Sequence, residues 1–158
     1  MTSNMTISIN EGYAMKQHEI AAAAMASAEL GALFGPAQIQ KLMFLIDAEL
    51  AGNIGGPFFE FLPYDYGPFD SAVYSAVNRL KLEGLLATDL TERYRRYFLT
   101  GPGHEAGQQH LNQLDEGARD FIARAARWVR EVSFSQLVSA IYERYPEMKE
   151  NSIFRSPA

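Results

Sequence analysis

Thirteen consecutive residues, Phe58 to Asp70 (FFEFLPYDYGPFD), bring together six aromatic rings, three carboxylates and two prolines. Two kinds of chemistry could use such a segment. In the first, Gly67 supplies a backbone conformation closed to other residues, Pro68 sets the chain for the next helix, and the rings fill the adjoining core. In the second, Tyr64, Asp65 and Tyr66 face solvent as a recognition patch, because tyrosine offers contact area with a polar end and Asp65 can pair with a partner's arginine. A general acid–base role for Asp65 or Asp70 would need a paired base, and none stands at a suitable spacing.

Positive charge gathers in two other places. Arg93, Arg95 and Arg96 alternate with Tyr94 and Tyr97, and Arg119, Arg124, Arg127 and Arg130 recur along one later segment. The second group reads as a solvated helix face balanced by Asp120 and Glu131. The three histidines are His18, His104 and His110; the last two are six residues apart, whereas helical metal pairs share a face at spacings of three or four. No HExxH, GxSxG, Walker A or strand–GxGxxG–helix pattern occurs, and Gly55-Gly56-Pro57 precedes an apolar run and not a helix N-terminus, so it reads as a turn. With no cysteine, thiol nucleophiles, disulfides and zinc–thiolate sites are absent. No metal and no cofactor is expected.

The elements that must position these residues follow from periodicity. Residues 1–12 lack it and read as a loose N-terminal arm. An alanine-rich helix is expected between Tyr13 and Phe34, with Ile20, Ala24, Leu30 and Leu33 available for packing. Gly35 and Pro36 separate it from a second helix, Pro36 to about Ala51, whose stripe is Ile39, Leu42, Met43, Ile46 and Leu50. Phe44 lies off that stripe, so this helix should be covered on two sides. A short extended run is expected at Phe58–Leu62. Asp70 can cap a helix to about Glu83 that buries Val73, Ala76, Val77 and Leu80 and turns Ser71, Ser75, Asn78, Arg79 and Leu82 outward. LLATDL and RYFLT then read as a hairpin near 85–100 with Thr91–Arg95 at its tip. Further helices follow at GPGHEAGQQHL, at Asp115–Val132, and from a Ser133–Gln136 capping box to Pro146. Residues 147–158 read as a polar tail from which Ile153 and Phe154 could dock.

The expected architecture is therefore mostly α (α+β): one domain over 13–146, with five or six helices, two or three short strands and a winged-helix-like helix plus hairpin. A chain of 158 residues has room for one core. Its net charge of -5 makes it a poor coat for nucleic acid through bulk charge. Neither a signal peptide nor a membrane-spanning run is apparent, and a cytoplasmic location is expected.

The runs IQKLMFLIDAEL, the Gly-Pro at 56–57, PYDYGPFDSAVY and LKLEGLL resemble, over about residues 36–100, the Panacea or SocA-like antitoxin domain and its YwgA-like relatives. Later L-T, S-x-x-Q-L and Y-x-x-Y-P elements are closer to the YwgA-like branch. The resemblance implies a helical domain with a small sheet that neutralises a toxin by direct contact or delivers it to a protease, without catalysis. It also carries over Gln40, Lys41, Asp47, Tyr66, Gly67 and Pro68 as signature positions.

Together these readings give an antitoxin-like, non-enzymatic protein-interaction module whose partner docks at Tyr64, Asp65, Tyr66, Gly67, Pro68 and Phe69, with Gln40, Lys41 and Asp47 in support. The alternative is a winged-helix transcription regulator, dimerising through its terminal helices, that touches nucleic acid through Arg79, Arg93, Arg95 and Arg96.

Overall fold

The computed structural model describes residues 14–155; the expected N-terminal arm, 1–12, lies outside them. The chain is mostly helical, with two small antiparallel hairpins. Helix α1 is Gln17–Ala26, α2 Pro36–Ile54, α3 Ser71–Leu82, α4 Gly101–Leu111, α5 Glu116–Glu131 and α6 Phe134–Arg144. Strands β1 (Leu62–Tyr64) and β2 (Gly67–Phe69) form one hairpin, β3 (Leu86–Asp89) and β4 (Arg96–Leu99) the other.

Helix α1 is shorter than the alanine run suggested. It ends at Ala26, where the Ser27 hydroxyl donates to the Ala24 carbonyl at 2.7 Å. Leu30 consequently sits exposed in the following turn. Every residue from Ile20 to Ala26 is buried, so beyond its polar first turn this helix has no polar face and is enclosed on all sides. Its closest neighbour is α4. A Cβ added at Gly107 would lie 2.4 Å from the Ala22 oxygen, and one at Gly103 would lie 1.7 Å from the Leu85 oxygen, so both glycines are there because no side chain fits.

Around α1 runs a helix–strand order typical of a winged helix. Phe34, between α1 and α2, exchanges two backbone hydrogen bonds of 2.8 Å with Tyr97 on β4 and so adds a one-residue third strand to β3–β4. Helices α2 and α3 and the β3–β4 wing complete the unit, with the β1–β2 hairpin inserted between α2 and α3. The expected extended run at Phe58–Leu62 is displaced to this hairpin: the Phe58 and Phe59 N–H groups bond to a side chain and not to a strand. Helix α2 also runs on to Ile54, which is buried, before Gly55 takes the left-handed cap at φ 84.

The expected caps are present. Asp70 accepts from the Ala72 N–H at 2.9 Å and Asp115 from the Ala118 N–H at 2.8 Å, while Ser133 and Gln136 bond reciprocally. Helix α2 is covered on two sides: Ile39, Leu42, Met43 and Ile46 face the main core, and Phe44 packs edge-on against Phe61 and Tyr145. No described helix is long and apolar enough to cross a membrane.

Candidate functional site

The β1–β2 hairpin is held from two directions around a glycine turn. Asp65 and Tyr66 keep negative φ while Gly67 reaches φ 102, the geometry of a tight turn closed by a left-handed glycine. From below, Gln40 clamps the backbone of Asp70, donating to its carbonyl at 2.9 Å and accepting from its N–H at 3.1 Å. From the C-terminal side, the Ile153 N–H and the Ser152 hydroxyl both donate to the Asp65 carbonyl, at 2.9 and 3.2 Å, and Tyr142 donates to Ser152 at 2.6 Å. Residues up to Phe154 thus dock against the body and brace the turn.

Two further carboxylates fasten the segment leading into it. Asp47 accepts from the N–H groups of Phe58 and Phe59, both at 2.9 Å. Its burial pushes its proton affinity up, and those two hydrogen bonds pull it back down. Asp70 accepts from the Glu60 N–H with the oxygen not used in capping α3, at 2.8 Å. Gln40, Asp47 and Asp70 are therefore staples between α2 and the inserted segment. Asp47 does not reach the turn, and Pro68 is buried beneath it.

What the braced turn presents is aromatic. Tyr64 is 49% exposed and Tyr66 43%, and Asp65 is exposed between them. Tyr64 stands edge-on to Phe69, and Phe69 to Tyr74, with ring centroids 5.2 and 5.7 Å apart. On the opposite side Tyr66 meets Phe134 at 5.4 Å, and Phe134 meets Phe154 at 6.3 Å. Between the two ring series lies an open cleft of about 430 Å³, with Gln40 and Lys41 on its floor and Pro36 and Ala37 at one end. Seven residues expected to act together, Gln40, Lys41, Tyr64, Asp65, Tyr66, Gly67 and Phe69, line this one cleft. Phe134, 45% exposed at the start of α6, and Tyr74 on α3 complete it.

Lys41 is the unusual member. Only 5% of the residue is exposed, and its Nζ has one acceptor among the described residues, the Pro68 carbonyl at 3.4 Å. Among the described residues no carboxylate lies within ion-pair distance, and burial alone pushes its pKa down to about 8. Gly67 packs beside it: an added Cβ there would lie in ordinary contact, 3.4 Å from Tyr142 Cε1 and 3.8 Å from Lys41 Cε.

The expected nucleic-acid residues divide. Arg96 is half-buried and paired with Asp89 at 3.1 Å, and Arg79 pairs with Glu83 at 3.3 Å. Arg93 and Arg95 are exposed, with no ion pair among the described residues, and with Lys81 and Asn78 they line a groove between α3 and the wing. That groove adjoins the aromatic cleft, sharing Pro36 and Tyr74 with it. On α5, Arg124 pairs with Asp120 as expected, but Arg130 reaches away from Glu131 to Glu29 at 3.0 Å and lies over the Phe34 ring. A third cleft, between α2, α5 and α6, has its polar groups engaged: Glu49 takes Arg144 at 3.2 Å and the Tyr145 hydroxyl. No group of histidines and acids among the described residues could hold a metal ion.

No family model matches the sequence, and no curated protein matches it.

Proposed function

We propose that the chain is a protein-interaction module, antitoxin-like in kind and non-enzymatic, whose partner seats in the cleft under the Tyr64–Phe69 turn. The observation that carries this reading is the convergence of large, half-exposed rings on a braced turn. Ordered aromatic side chains give contact area at little further entropic cost, and a turn already held by Gln40, Ser152 and Ile153 needs no reorganisation on binding. The same reading explains the signature positions of the antitoxin-like resemblance: Gln40 and Asp47 hold the inserted segment, Gly67 shapes the turn, and Tyr66 and Lys41 face the cleft.

The test is affinity purification from the native host after nuclease treatment, wild type against the Tyr64→Ala/Asp65→Ala double variant. A stoichiometric protein that the wild type retains and the variant loses, at an unchanged thermal midpoint, supports the reading. A partner held equally by both moves the contact elsewhere.

One observation favours the winged-helix regulator as a second reading: Lys81, Arg93 and Arg95 lie beside Asn78 in the groove of α3 and the wing with no ion pair among the described residues. It requires binding to duplex DNA that weakens steeply with salt, with a slope reduced when Arg93 and Arg95 are neutralised.

A further inference from the structure

An ammonium carries three donors, and Lys41 uses one of them on a long bond to Pro68. Burying such a group without an anion is costly, and it is tolerated where something else completes its shell. The open side of Lys41 is the cleft, lined by rings from Tyr64, Tyr66, Phe69, Tyr74 and Phe134 and by one carboxylate, Asp65. Asp65 stands at the rim, exposed and outside ion-pair distance. The adjoining groove adds Lys81, Arg93 and Arg95 at its surface, which have no acidic partner among the described residues, whereas their neighbours Arg79 and Arg96 do. On a chain of net charge -5, a continuous surface of aromatic walls and unpaired cations is locally complementary to negative charge.

We infer that the occupant of this surface is an acidic segment of the partner protein, which sets one carboxylate on the Lys41 ammonium and an apolar side chain between the Tyr64–Phe69–Tyr74 rings and the Tyr66–Phe134 pair, and continues with further carboxylates toward Lys81, Arg93 and Arg95. This rests on the interaction reading above and adds the chemistry of the partner. A carboxylate fits the floor better than a nucleic-acid phosphate does. The approach to Lys41 is a ring-lined cleft under a turn carrying Asp65, which suits a single side chain flanked by apolar groups and repels a dense polyanion.

The experiment uses the full chain labelled with [ε-13C]lysine. The sequence has four lysines, Lys16, Lys41, Lys81 and Lys149, so each signal is readily assigned. The probe is 3-phenylpropionate, a carboxylate joined to an apolar ring, titrated against its neutral twin 3-phenylpropanamide. The acid should shift the Lys41 signal saturably, with an affinity about tenfold or more above that of the amide, the effect of one charge-assisted hydrogen bond. In Lys41→Met the preference for acid over amide should vanish. Equal affinities for acid and amide, or no saturable shift, overturn the inference, as does a Lys41 shift given by a short DNA duplex and not by the acid. The comparison of acid with amide is made on the unaltered protein, so it stands even if Lys41→Met does not fold. Failure here, with a partner still lost on changing Tyr64 and Asp65, removes the carboxylate and leaves the interaction reading; an acid preference with no protein partner at the turn does the reverse.

Discussion

The α1–α4 contact and the β1–β2 cleft solve opposite problems with opposite residues. Where α1 meets α4 the chain uses its smallest side chains, Ala22 and Ala26 against Gly107, and backbones approach until not even a methyl group fits. Gln108 adds a 2.6 Å bond to the Ala26 carbonyl, so a carbonyl at the end of α1 is also satisfied. At the cleft the chain places its largest side chains and leaves them half uncovered, with an ammonium on the floor that no acid neutralises. The first region can only be for holding the fold, since nothing can enter it. The second is built to the same precision, with its hairpin bonded by Gln40 on one side and by Ser152 and Ile153 on the other, yet its surfaces do not close on one another. Precision without closure is what a binding surface requires.

The contrast breaks most sharply at Gly107. Gly107→Ala forces a Cβ against backbone on α1 and should cost about 3 kcal/mol or more, with misfolding as the extreme result, read by urea unfolding. A near-neutral effect would mean that the two helices can part, and the closed region would lose its meaning.

Next in size, and opposite in sign, is Lys41→Met. The unfolded chain holds this lysine charged up to about pH 10.5 and the folded one up to about 8, so below pH 8 the full cost of burying the charge is present. The variant should therefore be more stable than the wild type by about 2–3 kcal/mol at pH 7. Between pH 8 and 10.5 the folded wild type releases its proton first and gains stability as pH rises, so the difference should shrink toward zero. Unfolding at pH 7 and pH 10 checks both statements. A variant less stable at pH 7 would make Lys41 a structural donor to Pro68.

A smaller effect is expected at Asp70, which caps α3 and also holds the Glu60 N–H. Asp70→Ala should cost about 1–2 kcal/mol and loosen the inserted segment, visible as faster amide exchange at Glu60. The smallest belongs to the turn itself. Tyr64→Ala with Asp65→Ala should change stability by less than about 1 kcal/mol while weakening partner binding, because half-exposed rings lose little core contact. A large loss of stability would return these rings to the core and erase the difference between the two regions.

Most elements were legible because their ends are chemical. Asp70, Asp115 and the Ser133–Gln136 box mark helix starts by side-chain acceptors at the right offset, and the outward set of α3 follows from period alone. Helix α1 was harder: alanine is compatible with any degree of burial, so the run Ala21–Ala24 carried no stripe to show where the helix stops or that it is enclosed. The β1–β2 hairpin was hidden because its turn and strands are made of the same aromatic and proline residues that an irregular segment would use, and its register depends on Gln40 and on Ser152, far away in sequence. The grouping of Tyr64, Asp65 and Tyr66 as an exposed patch could be read locally. The isolation of Lys41 could have been, since it sits three residues before Phe44 and shares the second buried face of α2 that Phe44 announced. The role of Phe134 could not, because only the fold brings α6 to Tyr66.

The most direct test of the claim that the cleft and not the body meets a partner is site-specific photo-crosslinking in the native host. A benzophenone side chain is placed once at Tyr66, on the cleft, and once at Leu30, a comparably exposed position in the turn after α1. The expected result is one discrete protein adduct from position 66, resistant to nuclease, and none from position 30. The same adduct from both positions, or an adduct from position 30 alone, would contradict the account.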